Sequence, residues 1–205
     1  MNIFSRTKPE QPKTSISTDP EFGRIQFTAV HRLRSIRIFV QPFQGVIVKF
    51  PSGVSLKKAE AFLDSKRSWI RQALLRAQIT EQKSRDHFAS EGAFNKAEIR
   101  RSLTERLYAL AQEYDFHYNK VSLRNQKSRW GSCSAQDNIS LNQILFYLPN
   151  HLRDYVLVHE LAHTREKNHS PEFWKILFDI YGKFETIRMR RELKTFDYLF
   201  YPPPN

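Results

Sequence analysis

The feature that most constrains this chain is a pair of histidines, four residues apart, inside a mostly apolar stretch. His159 and His163 enclose Glu160 in the sequence His-Glu-Leu-Ala-His, within the stretch 152–162. The stretch predicts a buried helix over about residues 151–164, in which a polar residue needs a reason to be present. Residues four apart lie on one face of a helix, so both imidazoles can be directed at one point. The chain therefore has to fold around a core helix that carries a polar site.

The pattern is typical of a metal site. Imidazole nitrogen suits zinc, and a catalytic zinc ion commonly has three protein ligands and one water. Glu160 can reach that water without binding the metal, accept its proton and later pass the proton to the departing amine. The alternative interpretation is an ordinary helix with surface histidines that stand in this order by chance.

Two residues compete to be the third ligand. His169 follows His163 by six residues, beyond a polar connection, and its spacing favours it; Glu172 stands just inside the next predicted helix. The metzincin form of the motif has its third histidine at the same offset, but it has a glycine where this chain has Glu166. We therefore expect His169 to be the third ligand of a site that is not a metzincin site.

Composition limits the class of protein. The 205 residues, 40% apolar and 26% charged, provide for one domain or for a small lobe and a larger one. The longest apolar runs, 144–148 and 155–158, are far shorter than the roughly 18 residues of a membrane helix. Cys133 is the only cysteine, which excludes an internal disulfide and an all-cysteine zinc site. With no signal-peptide core at the start, we expect a soluble, cytoplasmic protein with no membrane partner and of undetermined oligomeric state.

The positive charge is uneven. The net charge is +12, and residues 1–100 carry 18 Lys and Arg against 9 Asp and Glu. Such a basic half could attract nucleic acid, although a solvated surface that aids solubility is the simpler interpretation. Lys66, Arg67 and Arg71 are the candidate phosphate contacts on one predicted helix, with Trp69 and Ile70 expected to pack inward between them.

The chain divides, by composition and pattern, into a flexible tail over 1–20, a basic β-hairpin and helix lobe over 21–92, a second region over 93–198 and a proline-rich tail over 199–205. In the lobe, runs at 36–40 and 46–50 predict a hairpin, and Ser55 is a candidate N-cap for one long helix. The polar stretch 84–95 is the expected linker. The second region predicts a helix over 96–114, paired strands at 120–124 and 138–145, the helix over 151–164, a helix opened by Ser170-Pro171-Glu172, and a last helix over 185–193.

Four segments together resemble the YgjP-like metallopeptidases, which are related to the SprT-like and WLM-type proteases. They are 128–134 (Ser-Arg-Trp-Gly-Ser-Cys-Ser), 139–142 (Ile-Ser-Leu-Asn), 155–163 (Tyr-Val-Leu-Val-His-Glu-Leu-Ala-His) and 169–174 (His-Ser-Pro-Glu-Phe-Trp). The likeness covers about residues 22–195, and the polar stretch around 80–95 departs from it. The resemblance implies an α+β, zincin-like fold of the gluzincin type, with an active-site helix beside a small antiparallel sheet and an N-terminal β-hairpin/helix lobe.

The same resemblance implies a zinc-dependent metallopeptidase that hydrolyses peptide bonds of protein or peptide substrates. Its zinc ligands would be His159, His163 and His169, and Glu160 would be the general base that activates a metal-bound water. Two alternatives stay open: a DNA-associated, SprT-like protease whose basic lobe docks on nucleic acid, and a non-enzymatic module with structural zinc. Arg129 is expected to be ion-paired beneath the sheet rather than to stabilise an oxyanion. Trp130 and Cys133 are expected to belong to the core.

Overall fold

The computed structural model describes residues 13–91 and 95–204. They form two compact units, one over residues 13–82 and one over Lys83–Pro203. Within these described residues, no helix is both long enough and apolar enough to cross a bilayer.

The first unit is a four-stranded sheet with two helices. Its elements are β1 Thr14–Asp19, β2 Gly23–Val30, β3 Arg37–Gln41, β4 Gly45–Pro51, α1 Leu56–Asp64 and α2 Arg67–Glu91, the last of which continues into the second unit. The strand order is β1-β2-β4-β3, with β2 and β4 parallel and the other pairs antiparallel. Val46 and Val48 alternate with more exposed positions along β4, as expected for a strand with one buried face. They share a core with Leu63 of α1 and Ile70 of α2.

The predicted hairpin is confirmed, whereas two other expectations for this unit are wrong. Residues 1–12 of the expected tail lie outside the described residues, but Thr14–Asp19 forms an edge strand instead of a tail. Its side chains are exposed, and it is held by backbone pairing, which composition does not reveal. Ser55 caps a helix as expected, but that helix ends at Asp64 and a second begins at Arg67.

The expected linker over 84–95 is helical as far as Glu91, and residues 92–94 lie outside the described residues. Helix α2 continues to Glu91, and Ser84 is fully buried, with its hydroxyl donating to the backbone oxygen of Tyr201 at 2.6 Å. Asn95 then caps the next helix by accepting a hydrogen bond from the backbone N–H of Glu98 at 2.9 Å. The polar composition of 84–95 does not distinguish a linker from a helix, because a helix with one exposed face also accommodates polar residues.

The second unit is α+β, with a small sheet beside a group of helices. Its elements are α3 Lys96–Glu113, β5 Lys120–Arg124, β6 Gly131–Cys133, β7 Asn138–Asn142, a 3₁₀ helix Gln143–Tyr147, α4 Asn150–Arg165, α5 Pro171–Tyr181, α6 Lys183–Leu193 and a 3₁₀ helix Lys194–Phe200. Buried residues of α3, β7 and α4, among them Leu107, Leu141 and Leu157, share one core. The helices fall close to the predicted ranges.

The sheet of this unit corrects the sequence prediction. The order is β5-β7-β6, and β7 pairs parallel with β5 and antiparallel with β6, so the sheet is mixed and not antiparallel. Strand β6 has three residues, too few to show an alternating pattern, and the strand expected over 138–145 turns into a 3₁₀ helix after Asn142. The expected tail over 199–205 is also shorter, because Leu199 is fully buried.

Candidate active site

Helix α4 places His159 and His163 on one face while its other faces enter the core. Leu157, Val158 and Leu161 are fully buried around them. The two imidazole rings have their centroids 5.0 Å apart, as the spacing of four residues predicts for a helix.

His169 completes the cluster after the chain leaves α4. Its Nε2 lies 3.0 Å from Nε2 of His159. One possible ligand atom from each of His159, His163 and His169 lies within 4.8 Å of the others. Glu166, at the position of the metzincin glycine, has φ −131° and ψ 113°, an extended backbone that any residue adopts, so no glycine is required there. Glu172 is not a member of this cluster within residues 13–91 and 95–204.

Burial lowers the pKa of His159 and of His169 and so favours the neutral form of these two imidazoles. Burial, followed by the neighbouring His163 and His169, lowers the pKa of His159 to about 3. Nδ1 of His163 lies 3.0 Å from the backbone oxygen of Glu166. Because a carbonyl only accepts hydrogen bonds, Nδ1 of His163 is the donor, so Nε2 is the nitrogen of this ring that could bind a metal.

The donor set fits zinc. Two nitrogen ligands of a tetrahedral zinc ion, each at 2.0–2.1 Å from it, lie about 3.3 Å apart. The 3.0 Å between the Nε2 atoms of His159 and His169 is close to that separation. The three histidines can therefore hold one metal ion between them.

Two aromatic residues of α5 support the imidazoles. Phe173 is fully buried and stacks on His163, with ring centroids 4.5 Å apart and an interplanar angle of 28°. Trp174 stacks on His169 at 5.7 Å. They are held there because α5 begins with the predicted cap, in which Ser170 Oγ accepts from the backbone N–H of Phe173 at 3.3 Å.

Glu160 is a buried carboxylate beside the cluster. Glu160 is 5% exposed, and its Oε2 has no hydrogen-bond partner within the described part of the chain. Burial raises the pKa of Glu160 to about 8. A buried and unpartnered carboxylate oxygen is costly, which is typical of a group that is kept for chemistry.

Strand β6 passes directly against this carboxylate. A Cβ atom added to Gly131 would lie 2.7 Å from Cγ and 2.8 Å from Oε1 of Glu160. The glycine therefore allows the close approach of strand and helix. Sequence reasoning assigned Gly131 no role, although it stands within the Arg-Trp-Gly-Ser-Cys segment.

Asn142 holds the loop that precedes β6, and sequence reasoning assigned it no role either. It is fully buried, and its amide Nδ2 donates to the backbone oxygens of Gln126 and Arg129 at 2.7 and 2.8 Å. Its own backbone N–H donates to the oxygen of Trp130 at 2.9 Å. The signal that the sequence offered was an asparagine at the end of the strand-forming run Ile-Ser-Leu-Asn.

A cavity of about 660 Å³ opens on the site. Its lining includes the site residues His159, Glu160, His169 and Trp174, and also Arg129, Trp130, Arg190, Lys194 and Asp197. The cavity is large enough for several residues of a peptide, and it leaves the cluster open to a substrate.

The remaining candidates fall outside the cluster. The expectation that Arg129 is ion-paired is wrong, since it is exposed, lines the cavity and has no ion pair among the described residues. Trp130 and Cys133 pack against the core as expected. The Sγ of Cys133 lies 3.8 Å from Nζ of Lys167, and within the described ranges it is not among the grouped metal-ligand atoms.

A comparison with protein families shows which family this chain belongs to. The model of the family described as YgjP-like, metallopeptidase domain, matches residues 34–95 and 92–196, which is most of the chain. The chain belongs to the YgjP-like metallopeptidase family. This membership supports a hydrolase, and the four segments that carried the resemblance lie within the matched residues.

Solved structures that this YgjP-like chain is similar to include two metallopeptidase zymogens. Abylysin from Pyrococcus abyssi is 21% identical, with a TM-score of 0.42, over 45% of this chain and 92% of that one. Jannalysin from Methanocaldococcus jannaschii is 18% identical, also with a TM-score of 0.42, over 45% of this chain and 94% of that one. A search of curated protein sequences gives no match.

Proposed function

We propose that this YgjP-like metallopeptidase is a zinc-dependent peptidase. In this proposal His159, His163 and His169 hold the ion and Glu160 is the general base. One observation carries it: ligand atoms of three histidines converge within 4.8 Å beside a buried carboxylate. A structural zinc site has four protein ligands and needs no base.

The metal and the carboxylate have separate tasks. A zinc ion bound in such a site lowers the pKa of a coordinated water and polarises the carbonyl of the substrate. Glu160 accepts the proton of the attacking water and delivers it to the amine nitrogen as the peptide bond breaks. Burial alone raises the pKa of Glu160 to about 8, and the positive charge of a bound metal ion would lower it again, so that Glu160 would be ionised as a base.

Strand β6 gives a means of holding an extended substrate. It lies at the edge of the β5-β7-β6 sheet, so one side of its backbone is free of strand pairing within the described residues. An extended peptide can pair with such an edge through backbone hydrogen bonds. The contact of Gly131 with Glu160 places that edge next to the general base.

The test compares wild type with Glu160→Gln. The substitution keeps the shape and removes the base, so turnover of a peptide substrate should fall by roughly 10²-fold or more while zinc content persists. Glu172→Gln is the matched control, since Glu172 is an exposed acid on the adjoining helix. Equal turnover of wild type and Glu160→Gln would contradict the mechanism, and loss of zinc from Glu160→Gln would assign Glu160 to the metal site instead.

A DNA-associated protease is the second candidate, and the charge of the first unit favours it. Residues 13–82 carry 12 Lys and Arg against 5 Asp and Glu. The candidate contacts have to change, however. Arg67 pairs with Asp19 at 2.9 Å, and Arg71 pairs with Glu21 at 2.6 Å, so both are engaged within the unit. Trp69 does not pack inward as expected, because it is 46% exposed.

A better set of candidates is Arg32, Arg34 and Arg37, which are exposed and form no ion pair within residues 13–82. If the unit binds DNA, affinity should fall steeply with salt, and neutralising the three should flatten that slope by about one unit per lost phosphate contact. Titrations with duplex and single-stranded DNA at several salt concentrations measure this. A dissociation constant weaker than about 10⁻⁴ M at physiological salt would leave the charge as a solvated surface.

A further inference from the structure

The cavity beside the histidine cluster carries more positive charge than the proposed chemistry requires. Arg129, Arg190 and Lys194 line it together with one other acid besides Glu160, which is Asp197. Within the described residues none of the three cations has an acid within 4 Å of its nitrogens. All three are exposed, so they remain available to a ligand.

Arg190 is the best positioned of these cations. Its guanidinium carbon lies 4.7 Å from the centre of the Trp174 ring, and Trp174 in turn stacks on His169. A guanidinium that lies over an aromatic ring keeps the N–H donors at its edge for other partners. The preceding residue, Met189, is 2% exposed and fixes this part of α6 in the core. One indole ring thus separates an unpaired fork of donors from the metal-ligating cluster.

The positive charge of the cavity and the shape of the Arg190 guanidinium favour a carboxylate as the bound anion. A guanidinium binds a carboxylate through two parallel hydrogen bonds, and Lys194 and Arg129 add attraction at longer range. The anions that a peptide itself carries are the side chains of Asp and Glu and its C-terminal carboxylate.

We propose that Arg190, supported by Arg129 and Lys194, recognises a carboxylate of the peptide substrate in this cavity. The carboxylate belongs to an acidic side chain near the scissile bond or to the C-terminus of the substrate. The inference rests on the proposed function, because it assigns a substrate class to the same site. Arg190 is then a specificity-determining residue and takes no part in proton transfer.

The test measures binding without turnover. End-labelled peptides of one sequence, with Glu or Gln at a single position and with a free or an amidated C-terminus, are titrated by fluorescence anisotropy against Glu160→Gln protein. We expect the carboxylate-bearing peptide to bind about tenfold more tightly than its neutral partner, the range of one charge-assisted hydrogen bond. The Glu and Gln pair reports a side-chain carboxylate, and the free and amidated pair reports a C-terminal one.

Arg190→Gln, made in the same background, should remove most of that preference. Arg191→Gln is the matched control, since Arg191 is the adjacent exposed cation on α6 and does not line the cavity. Arg190→Lys keeps the charge without the fork and should retain part of the preference, which guards against a loss of folding in Arg190→Gln. Equal affinities within both peptide pairs, or equal losses in Arg190→Gln and Arg191→Gln, would overturn the inference. A preference without any hydrolysis by wild-type protein would instead contradict the proposed function.

Discussion

Gly131→Ala tests the contact between strand β6 and the general base. The added methyl group would lie 2.7 Å from Cγ, 2.8 Å from Oε1 and 2.9 Å from Cδ of Glu160. Carbon atoms in contact stay about 3.5 Å or more apart, so the carboxylate or the strand has to move by roughly 0.8 Å. Glu160 is 5% exposed and cannot swing into solvent, so the buried site has to absorb the shift.

A shift of this size is large for catalysis. Functional groups are held to within about 0.5 Å of their working geometry, and a misplacement of about 1 Å can cost roughly 10²-fold. We expect kcat/KM of Gly131→Ala to fall by roughly 10- to 100-fold. Overpacking should also lower the free energy of unfolding by about 1–3 kcal/mol. Zinc content should stay at the wild-type level, because the three atoms nearest to the added methyl group all belong to Glu160 and none to an imidazole.

The assay is peptide hydrolysis with metal analysis of the same samples, and Gly53→Ala is the control. A Cβ on Gly53 meets nothing within 4 Å, so that variant should behave as wild type. In the double variant Gly131→Ala, Glu160→Gln, activity should be no lower than in Glu160→Gln alone, because both changes act on one group. Wild-type kcat/KM in Gly131→Ala, or a loss of zinc that accounts for its low activity, would refute the reasoning.

Three further predictions concern the metal, the loop and the first unit. His169→Ala should lose most of its zinc while Glu172→Ala keeps it, and metal analysis showing the reverse would transfer the third-ligand role to Glu172. Asn142→Leu removes the two part-buried hydrogen bonds to the loop oxygens of Gln126 and Arg129 and should lower the free energy of unfolding by about 1 kcal/mol for each, measured in urea. The hydrogen bond from Arg67 is the main cause that lowers the pKa of Asp19 from 3.8 to about 2. The stabilisation of the fold by the Asp19–Arg67 ion pair should therefore be complete above pH 4 and be lost as the pH falls towards 2. Asp19→Asn should lower the free energy of unfolding by about 1 kcal/mol near neutral pH and remove its decrease between pH 4 and pH 2. An acid-unfolding profile that is the same in Asp19→Asn and wild type would contradict this prediction.

Local patterns predicted the helices of the second unit well. The apolar positions of α3, including Leu103 and Leu107, recur at helical spacing and are fully buried. Ser170 and Pro171 marked the start of α5, because a capping hydroxyl and a proline at the first helical position act within one turn. Such signals need only neighbours in the sequence, so they can be read without knowing the fold.

The sheets show the opposite case. The parallel pairing of β5 with β7, in register from Lys120 opposite Asn138, joins residues that are far apart in the chain. The edge strand β1 has exposed side chains throughout most of its length and owes its place to backbone hydrogen bonds with β2. The sequence pattern predicted the β3–β4 hairpin and the pairing of 120–124 with 138–142, but not that this second pairing is parallel or that β1 forms a strand. Both of the missed features depend on which surfaces the rest of the chain leaves to be covered.

Helical periodicity alone indicated that His159 and His163 share one face of a helix. The tertiary structure decided that His169, and not Glu172, reaches the pair, since the path of the chain after Arg165 is not periodic. It also brought Gly131 against Glu160. In the lining of the cavity it left Arg190 without an acid of the described residues within 4 Å, while in the first unit it paired Arg67 with Asp19. An arginine is therefore free to bind a ligand at position 190 and is ion-paired at position 67. The sequence gives the charge of each side chain, but only the packing of the fold determines which charges lie close enough to pair.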